Sequence, residues 1–230
     1  MANLPRIFIH IPKNAGMTIR HSNYLKNRIF VCSGYYHKSS KYTQELHDQM
    51  RRTNDHPGEE HCPWRFLRKD IQENNTAFAI IRNPWDRVVS RYFFAKKVIE
   101  VEKKVPSSYC DISSFESFLE ERHKWGDVPY MWHRAVRGWK PASFHVTDEA
   151  GNLKCDMLSF ENYNSDVCDY FGLKNMTRAR NVTALNKLPY TEIYNKKTEQ
   201  IVADWYKDDI DRFGYDFRSG PTKNTWRILK

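Results

Sequence analysis

The sequence predicts an α/β fold: one domain over residues 1–230, in three layers, with a central and mostly parallel sheet flanked by helices. Two observations predict it. Residues 6–11 (Arg-Ile-Phe-Ile-His-Ile) and 76–82 (Thr-Ala-Phe-Ala-Ile-Ile-Arg) are short apolar runs, the pattern of strands buried on both faces. Each run stops at a polar turn that holds a cation, Lys13 or Arg82, and each turn leads into a segment with helical character. A parallel sheet presents anion sites in this way, at the carboxyl ends of its strands. Two such sites on one small chain suggest a ligand with phosphates at both ends.

The remaining elements follow in order. Residues 17–27 read as the helix after the first turn and 29–33 (Ile-Phe-Val-Cys-Ser) as a second strand. Residues 37–62 are polar and rich in histidine, with a helix near 41–52 and Pro57-Gly58 as a breaker; 63–73 suggests another helix. After the strand at 76–82, Asn83-Pro84 supplies a cap and a first-turn proline. The segment 84–104 then places Trp85, Val88, Val89, Tyr92 and Phe93 on one face of a long helix. Residues 113–116 (Ser-Ser-Phe-Glu) form a capping-box pattern for a helix to about 124. A late strand is expected at 155–160 and a helix at 196–211, before Arg212-Phe-Gly-Tyr215. No repeat, linker or low-complexity tract divides the chain.

Composition narrows the partners. The 230 residues are 40% hydrophobic and 14% aromatic, enough for a sizeable core. The 37 Lys and Arg against 28 Asp and Glu leave a formal charge of +9, which favours an anionic partner without choosing among nucleotide, nucleic acid, acidic glycan and membrane surface. The basic residues are scattered and no nucleic-acid motif stands out, so a nucleic acid is not expected. Five cysteines at irregular spacing, with no Cys-x-x-Cys, read as reduced thiols in a cytoplasmic protein. No apolar leader and no membrane-spanning run is expected, and the Asn-x-Ser/Thr triplets at Asn74, Asn175 and Asn181 read as chance.

The first turn reads Pro12-Lys13-Asn14-Ala15-Gly16-Met17-Thr18. Its small residues let backbone N–H groups close around an anion, Thr18 offers a hydroxyl and Lys13 a mobile charge. It is not a Walker A loop, where the lysine follows the last glycine. Taken alone it also reads as an ordinary strand-to-helix turn with a surface lysine. In the second turn Arg82 and Ser90, eight residues apart, converge from strand end and helix on a site for one phosphate group. Asp86 and Arg87 read as local ion-pair partners, and an Asp-paired Arg82 is the competing structural reading.

Together these segments resemble the sulfotransferases that use 3'-phosphoadenosine 5'-phosphosulfate (PAPS). Pro12 to Thr18 is similar to that family's first signature, and Arg82, Asn83, Pro84, Arg87 and Ser90 match the spacing of its second. Phe160-Glu161 and Asp209-Ile-Asp-Arg-Phe-Gly-Tyr215 resemble the carbohydrate-type and bacterial branch. The resemblance implies a P-loop-like fold. It also implies that Lys13 touches the oxygen bridging sulfate and 5'-phosphate, that Gly16, Met17 and Thr18 cradle the 5'-phosphate, with Asn14 and Ala15 also in the cofactor site, and that Arg82 and Ser90 bind the 3'-phosphate. Two departures stand out: Ala15 for the usual first glycine, and Met17 for a hydroxyl residue.

Sulfuryl transfer to an alcohol needs positioning, a base for the hydroxyl proton, and positive charge at the departing phosphate oxygen. Lys13 fits the last role. In related sulfotransferases a histidine lies roughly twenty residues before the second-signature arginine, and His61 occupies that place, with His37 and His56 as the other candidates. Glu59 or Glu60 is expected to orient it. His10 reads as packed. The histidines between 37 and 61 match no zinc spacing, and the reaction needs no metal. Arg178-Ala-Arg-Asn181 and Lys187 fall where related enzymes place a basic loop; a solvated turn is the competing reading. Trp125, Tyr130, Trp132 and Trp139, with Arg134 and Arg137, suit either an acceptor pocket or the core.

The expected activity is therefore transfer of a sulfuryl group from PAPS to a hydroxyl or amine of a carbohydrate or small molecule. A P-loop-type nucleotide kinase and a non-catalytic nucleotide or polyanion binder are the alternatives.

Overall fold

The computed structural model describes residues 5–53, 58–127, 138–175 and 188–230. Among the described residues four strands form the sheet: β1 (Arg6–Ile9), β2 (Ile29–Val31), β3 (Ala77–Ile81) and β4 (Asp156–Ser159). They lie in the order β2-β1-β3-β4, and every ladder pair is parallel. The two signature turns follow β1 and β3, which are neighbours. The chain leaves β1 towards β2 on one side, whereas β3 and β4 lie on the other, so the two turns flank the point where the strand order reverses. That crevice is where open α/β sheets bind ligands.

Side-chain alternation sorts the strands into two cores. Ile7, Ile9, Ala77, Ala79, Ile81 and Met157 face one layer; Phe8, Phe78, Ile80 and Leu158 face the other. The helices, in chain order, are α1 (Gly16–Arg20), α2 (Ser40–Thr53), α3 (Lys69–Asn74), α4 (Pro84–Lys96), α5 (Phe115–Trp125), α6 (Ala142–Val146), α7 (Tyr163–Phe171), α8 (Lys196–Trp205), α9 (Lys207–Phe213) and α10 (Trp226–Leu229). The first face is covered by α4, α5, α8 and α9 through Trp85, Val88, Val89, Phe115, Phe118, Val202 and Phe213. The second is covered by α1, α7 and α10 through Ile19, Val167, Tyr170 and Trp226. Phe8 and Phe78 are fully buried there with ring centroids 5.1 Å apart, each burial being worth roughly 1.5–3 kcal/mol. This is the three-layer α/β architecture expected.

Several boundaries differ from expectation, each for a local reason. The helix expected at 17–27 ends at Arg20, because His21-Ser22-Asn23 competes for backbone bonds in turns and Leu25 folds back into the core. The segment 63–73 is not one helix. A 3₁₀ turn at Trp64–Phe66 gives way to extended Leu67, which pairs with His37 before α3 begins. The long helix at 84–104 is α4 to Lys96, followed by a single π-helical turn at Lys97–Val101. The capping residue of α5 is Ser114, not Ser113: its Oγ accepts from Ser117 N–H, while Ser113 is held by Asp111. The segment 196–211 breaks at buried Tyr206 into α8 and α9. Among the described residues no helix is long and apolar enough to cross a membrane. All five cysteines are free thiols, and Cys168 alone among them is not buried.

Candidate active site

The first turn is built on two residues in the left-handed region, Lys13 (φ 68°) and Ala15 (φ 58°). A non-glycine residue there costs on the order of 1 kcal/mol, which is the physical content of alanine standing where glycine is usual. Asn14, between them and fully buried, donates from Nδ2 to the Ile80 carbonyl at 2.8 Å and so pins the turn to β3. Asn14 N–H closes on the Ile11 carbonyl and Thr18 N–H on that of Ala15. The N–H groups of Ala15, Gly16 and Met17 donate to no carbonyl among the described residues. They are the unsatisfied donors of a helix start, and since α1 has only five residues it is these groups, more than a macrodipole, that make the turn attractive to an anion. Met17 projects its side chain outward and contributes backbone to this row; Thr18 is buried.

Lys13 is the electrostatic centre. Its Nζ lies 4.2 Å from the centroid of the Phe94 ring. Burial, and then the charges of Arg82, Lys97 and Arg91, lower its pKa to about 7. A lysine held at that point gains its full charge when an anion arrives.

The second turn locks onto the first. Arg82 Nη1 donates to the Lys13 carbonyl at 2.8 Å, its Nε donates to Asp86 at 2.7 Å, and its guanidinium lies 4.0 Å above the Phe160 ring. Asp86 therefore does pair locally, and Nη2 is the nitrogen that neither bond uses. Ser90, half-buried, follows Asp86 by one turn of α4 on the same face. Asn83 caps α4 through Oδ1 to Trp85 N–H and Asp86 N–H, and donates from Nδ2 to the carbonyls of Asp216 and Ser219. Its own N–H donates to Glu161 Oε1 at 2.7 Å. Burial raises the pKa of Glu161. The Phe160-Glu161 pair thus supports Arg82 and Asn83 from the end of β4.

Arg87 departs from the local ion pair expected of it. It is fully buried and donates to the carbonyls of Pro12 and Lys140, both at 3.1 Å, fastening the first turn to the start of α6. Asp209, also buried, accepts from Ala142 N–H and Ser143 N–H and so caps that helix.

His61 is buried at the end of the 3₁₀ turn Glu59–His61. Its Nδ1 lies 2.6 Å from the His10 carbonyl, and its Nε2 lies 3.7 Å from Glu60 Oε1. Glu60 also meets Arg20 of α1 at 3.4 Å, whereas Glu59 is turned towards His47 at 2.5 Å. Of the two glutamates, Glu60 is the one beside His61. His37 is engaged in its own turn, its Nδ1 accepting from Ser39 N–H at 3.0 Å, and burial lowers its pKa. His10 is packed as expected, stacked on Phe8 at 5.5 Å and tilted against His61 at 4.1 Å between centroids.

Trp139 is a core residue, against Phe118 and under the Arg91 guanidinium. Trp125 is half-buried and donates to Glu121. His56, Tyr130, Trp132, Arg134, Arg137, Arg178-Ala-Arg-Asn181 and Lys187 lie outside the described residues. Among the described residues no group of His, Cys, Asp and Glu is arranged to hold a metal ion. Sequence reasoning missed Phe94 and Lys97. Helical spacing from Ser90 through Phe94 to Lys97 (four, then three residues) is the signal that would have found them.

A sulfotransferase family profile matches residues 6–216, from the first residue of β1 to just past α9, and the chain belongs to the sulfotransferase family. Comparison with curated proteins and with solved structures gave no match. The family's reaction is transfer of a sulfuryl group, and the two turns described above are the segments that carried the resemblance.

Proposed function

We propose that this chain, folded as one domain over residues 1–230, transfers a sulfuryl group from PAPS to a hydroxyl or amine of a carbohydrate or small-molecule acceptor. The observation that carries the reading is the bond from Arg82 Nη1 to the Lys13 carbonyl, which fixes two cationic turns side by side at the strand-order reversal. A donor with phosphates at both ends matches that spacing of charge. The residues fit it: a row of uncommitted N–H groups at Ala15, Gly16 and Met17, a lysine with its pKa near 7, and an arginine with one nitrogen uncommitted by its bonds to Asp86 and Lys13.

When bound, PAPS supplies an activated sulfuryl group whose leaving group is a phosphate. Asn14 to Thr18 would hold the 5'-phosphate, Thr18 adding a hydroxyl, and Arg82 Nη2 with the Ser90 hydroxyl would hold the 3'-phosphate. Lys13, charged in the presence of the anion, neutralises the negative charge that develops on the departing oxygen. His61 acts as the base that removes the acceptor's proton in an in-line displacement. A carbonyl oxygen only accepts, so the 2.6 Å contact with His10 requires a proton on His61 Nδ1 and leaves the lone pair of the neutral ring on Nε2. Glu60, 3.7 Å from Nε2, stabilises the imidazolium that results. None of these roles calls on a metal ion.

The test is transfer of radiolabelled sulfate from PAPS across a panel of sugars, phenols and amines, with His61→Ala and Lys13→Ala alongside. Product formation that falls at least a hundredfold in both variants supports the reading. Full turnover in His61→Ala removes His61 as base. Magnesium-dependent ATP hydrolysis with no sulfate transfer would favour the kinase reading instead.

A further inference from the structure

Gly16 has no room for a side chain. A Cβ built there would stand 1.6 Å from His10 Nε2 and 1.9 Å from its Cδ2. The encounter follows from strand parity. His10 continues the Phe8 side of β1, and α1 covers that side of the sheet, so the imidazole lies directly beneath the loop that turns into α1. The ring cannot swing away, because it is 5% exposed, stacked on Phe8 and in tilted contact with His61. One ring therefore touches the donor loop on one side and the proposed base on the other.

We propose that His10 is a positioning residue that interlocks the anion loop with His61. This rests on the assignment of His61 as the base and adds to it a second histidine that acts only through its neighbours. The side chain of His10 fills the gap between Gly16 and the His61 ring. Its carbonyl holds the proton on His61 Nδ1, and the ring at 4.1 Å keeps His61 in the orientation in which that bond forms. Charge around His61 comes from Glu60 on its own turn, Arg20 on α1 behind Glu60, and the His10 ring. The deeply buried His145 of α6 also lies close: its pKa is pushed well below the ordinary value by burial and then by Arg87 and His10, with the backbone of His61 pulling the other way. Placement of the loop is thus set by the His10 side chain, and the tautomer of the base by the His10 carbonyl with the same ring holding His61 within its reach, so a loop that shifts on binding an anion shifts the wall of the base.

The experiment needs no acceptor. Imidazole nitrogen NMR of the wild-type protein, with His61 assigned by loss of its signal in His61→Ala, reads the tautomer directly. Titration of adenosine 3',5'-bisphosphate into Gly16→Ala, His10→Ala and the double variant reads the interlock. The expected results are a single Nδ1–H tautomer for His61 in the wild type and a mixture of tautomers in His10→Ala. Gly16→Ala is expected to lose at least tenfold in affinity, and the double variant to recover to within about threefold of wild type, because removing the ring makes room for the added methyl. An Nε2–H tautomer in the wild type overturns the proposal. So does a loss in Gly16→Ala that His10→Ala leaves unrelieved, or a His61 tautomer unchanged in His10→Ala. Loss of transfer activity is not read here. A His61 that proves dispensable for turnover would defeat the base assignment while leaving the loop interlock to be decided by the affinity rescue.

Discussion

Lys13 ties donor binding to pH. Its amine is held near pKa 7, far below an ordinary lysine, by burial first and then by Arg82, Lys97 and Arg91. An anion at Nζ favours the protonated form, so above pH 7 binding must take up a proton. With a pKa of about 7, the charged fraction falls from about three-quarters at pH 6.5 to about 3% at pH 8.5. The affinity for adenosine 3',5'-bisphosphate is then expected to weaken about 25-fold over that range, roughly 2 kcal/mol, with close to one proton taken up per ligand at pH 8.5. The assay is calorimetric titration at both pH values, repeated at pH 8.5 in two buffers of different ionisation enthalpy. Lys13→Arg keeps a charge throughout and is expected to flatten the dependence. An unchanged dissociation constant between pH 6.5 and 8.5, or an undiminished pH slope in Lys13→Arg, would refute the reasoning. The sign for stability follows from the same shift. The unfolded chain keeps its proton up to about pH 10.4 while the folded chain loses it near 7, so this group makes the ligand-free protein more stable as pH rises through that window.

Three further outcomes follow. Lys97→Met removes one of the cations that depress Lys13, so the pH midpoint of bisphosphate binding is expected to move upward; a midpoint that stays or falls contradicts the account. Arg87→Met strips the buried link between Pro12 and Lys140 and is expected to cost about 3 kcal/mol in denaturant unfolding, whereas a loss below about 1 kcal/mol would show that the link is dispensable. Ala15→Gly relieves a left-handed alanine and is expected to leave stability unchanged or raise it by up to about 1 kcal/mol in thermal melts, and clear destabilisation would argue against the loop geometry described.

The two central strands were legible because β1 and β3 are apolar runs that lead to cations, and Ile7 to Ile9 and Ala77 to Ile81 are buried to the last residue. Helix ends were less legible, since they are set by distant partners. Leu67 stays extended because His37 pairs with it, and α8 stops where Tyr206 enters the core. In the candidate site, Lys13, Gly16 and Arg82 were readable from type and spacing. The role of Arg87 was not, because nothing in the pattern Arg-Asn-Pro-Trp-Asp-Arg says that the second arginine turns inward to carbonyls 75 and 53 residues away in sequence. Glu60 and Glu59 are adjacent and chemically alike, and only the 3₁₀ turn decides that Glu60 meets His61 while Glu59 meets His47.

The central claim is that the two joined turns form a site for a nucleotide phosphorylated at both the 3' and 5' positions. The most direct measurement is titration of adenosine 3',5'-bisphosphate beside adenosine 5'-monophosphate and ATP. The account predicts micromolar binding that requires the 3'-phosphate and weakens in both Arg82→Ala and Lys13→Ala. Equal binding of all three nucleotides, or a preference for ATP, would contradict it.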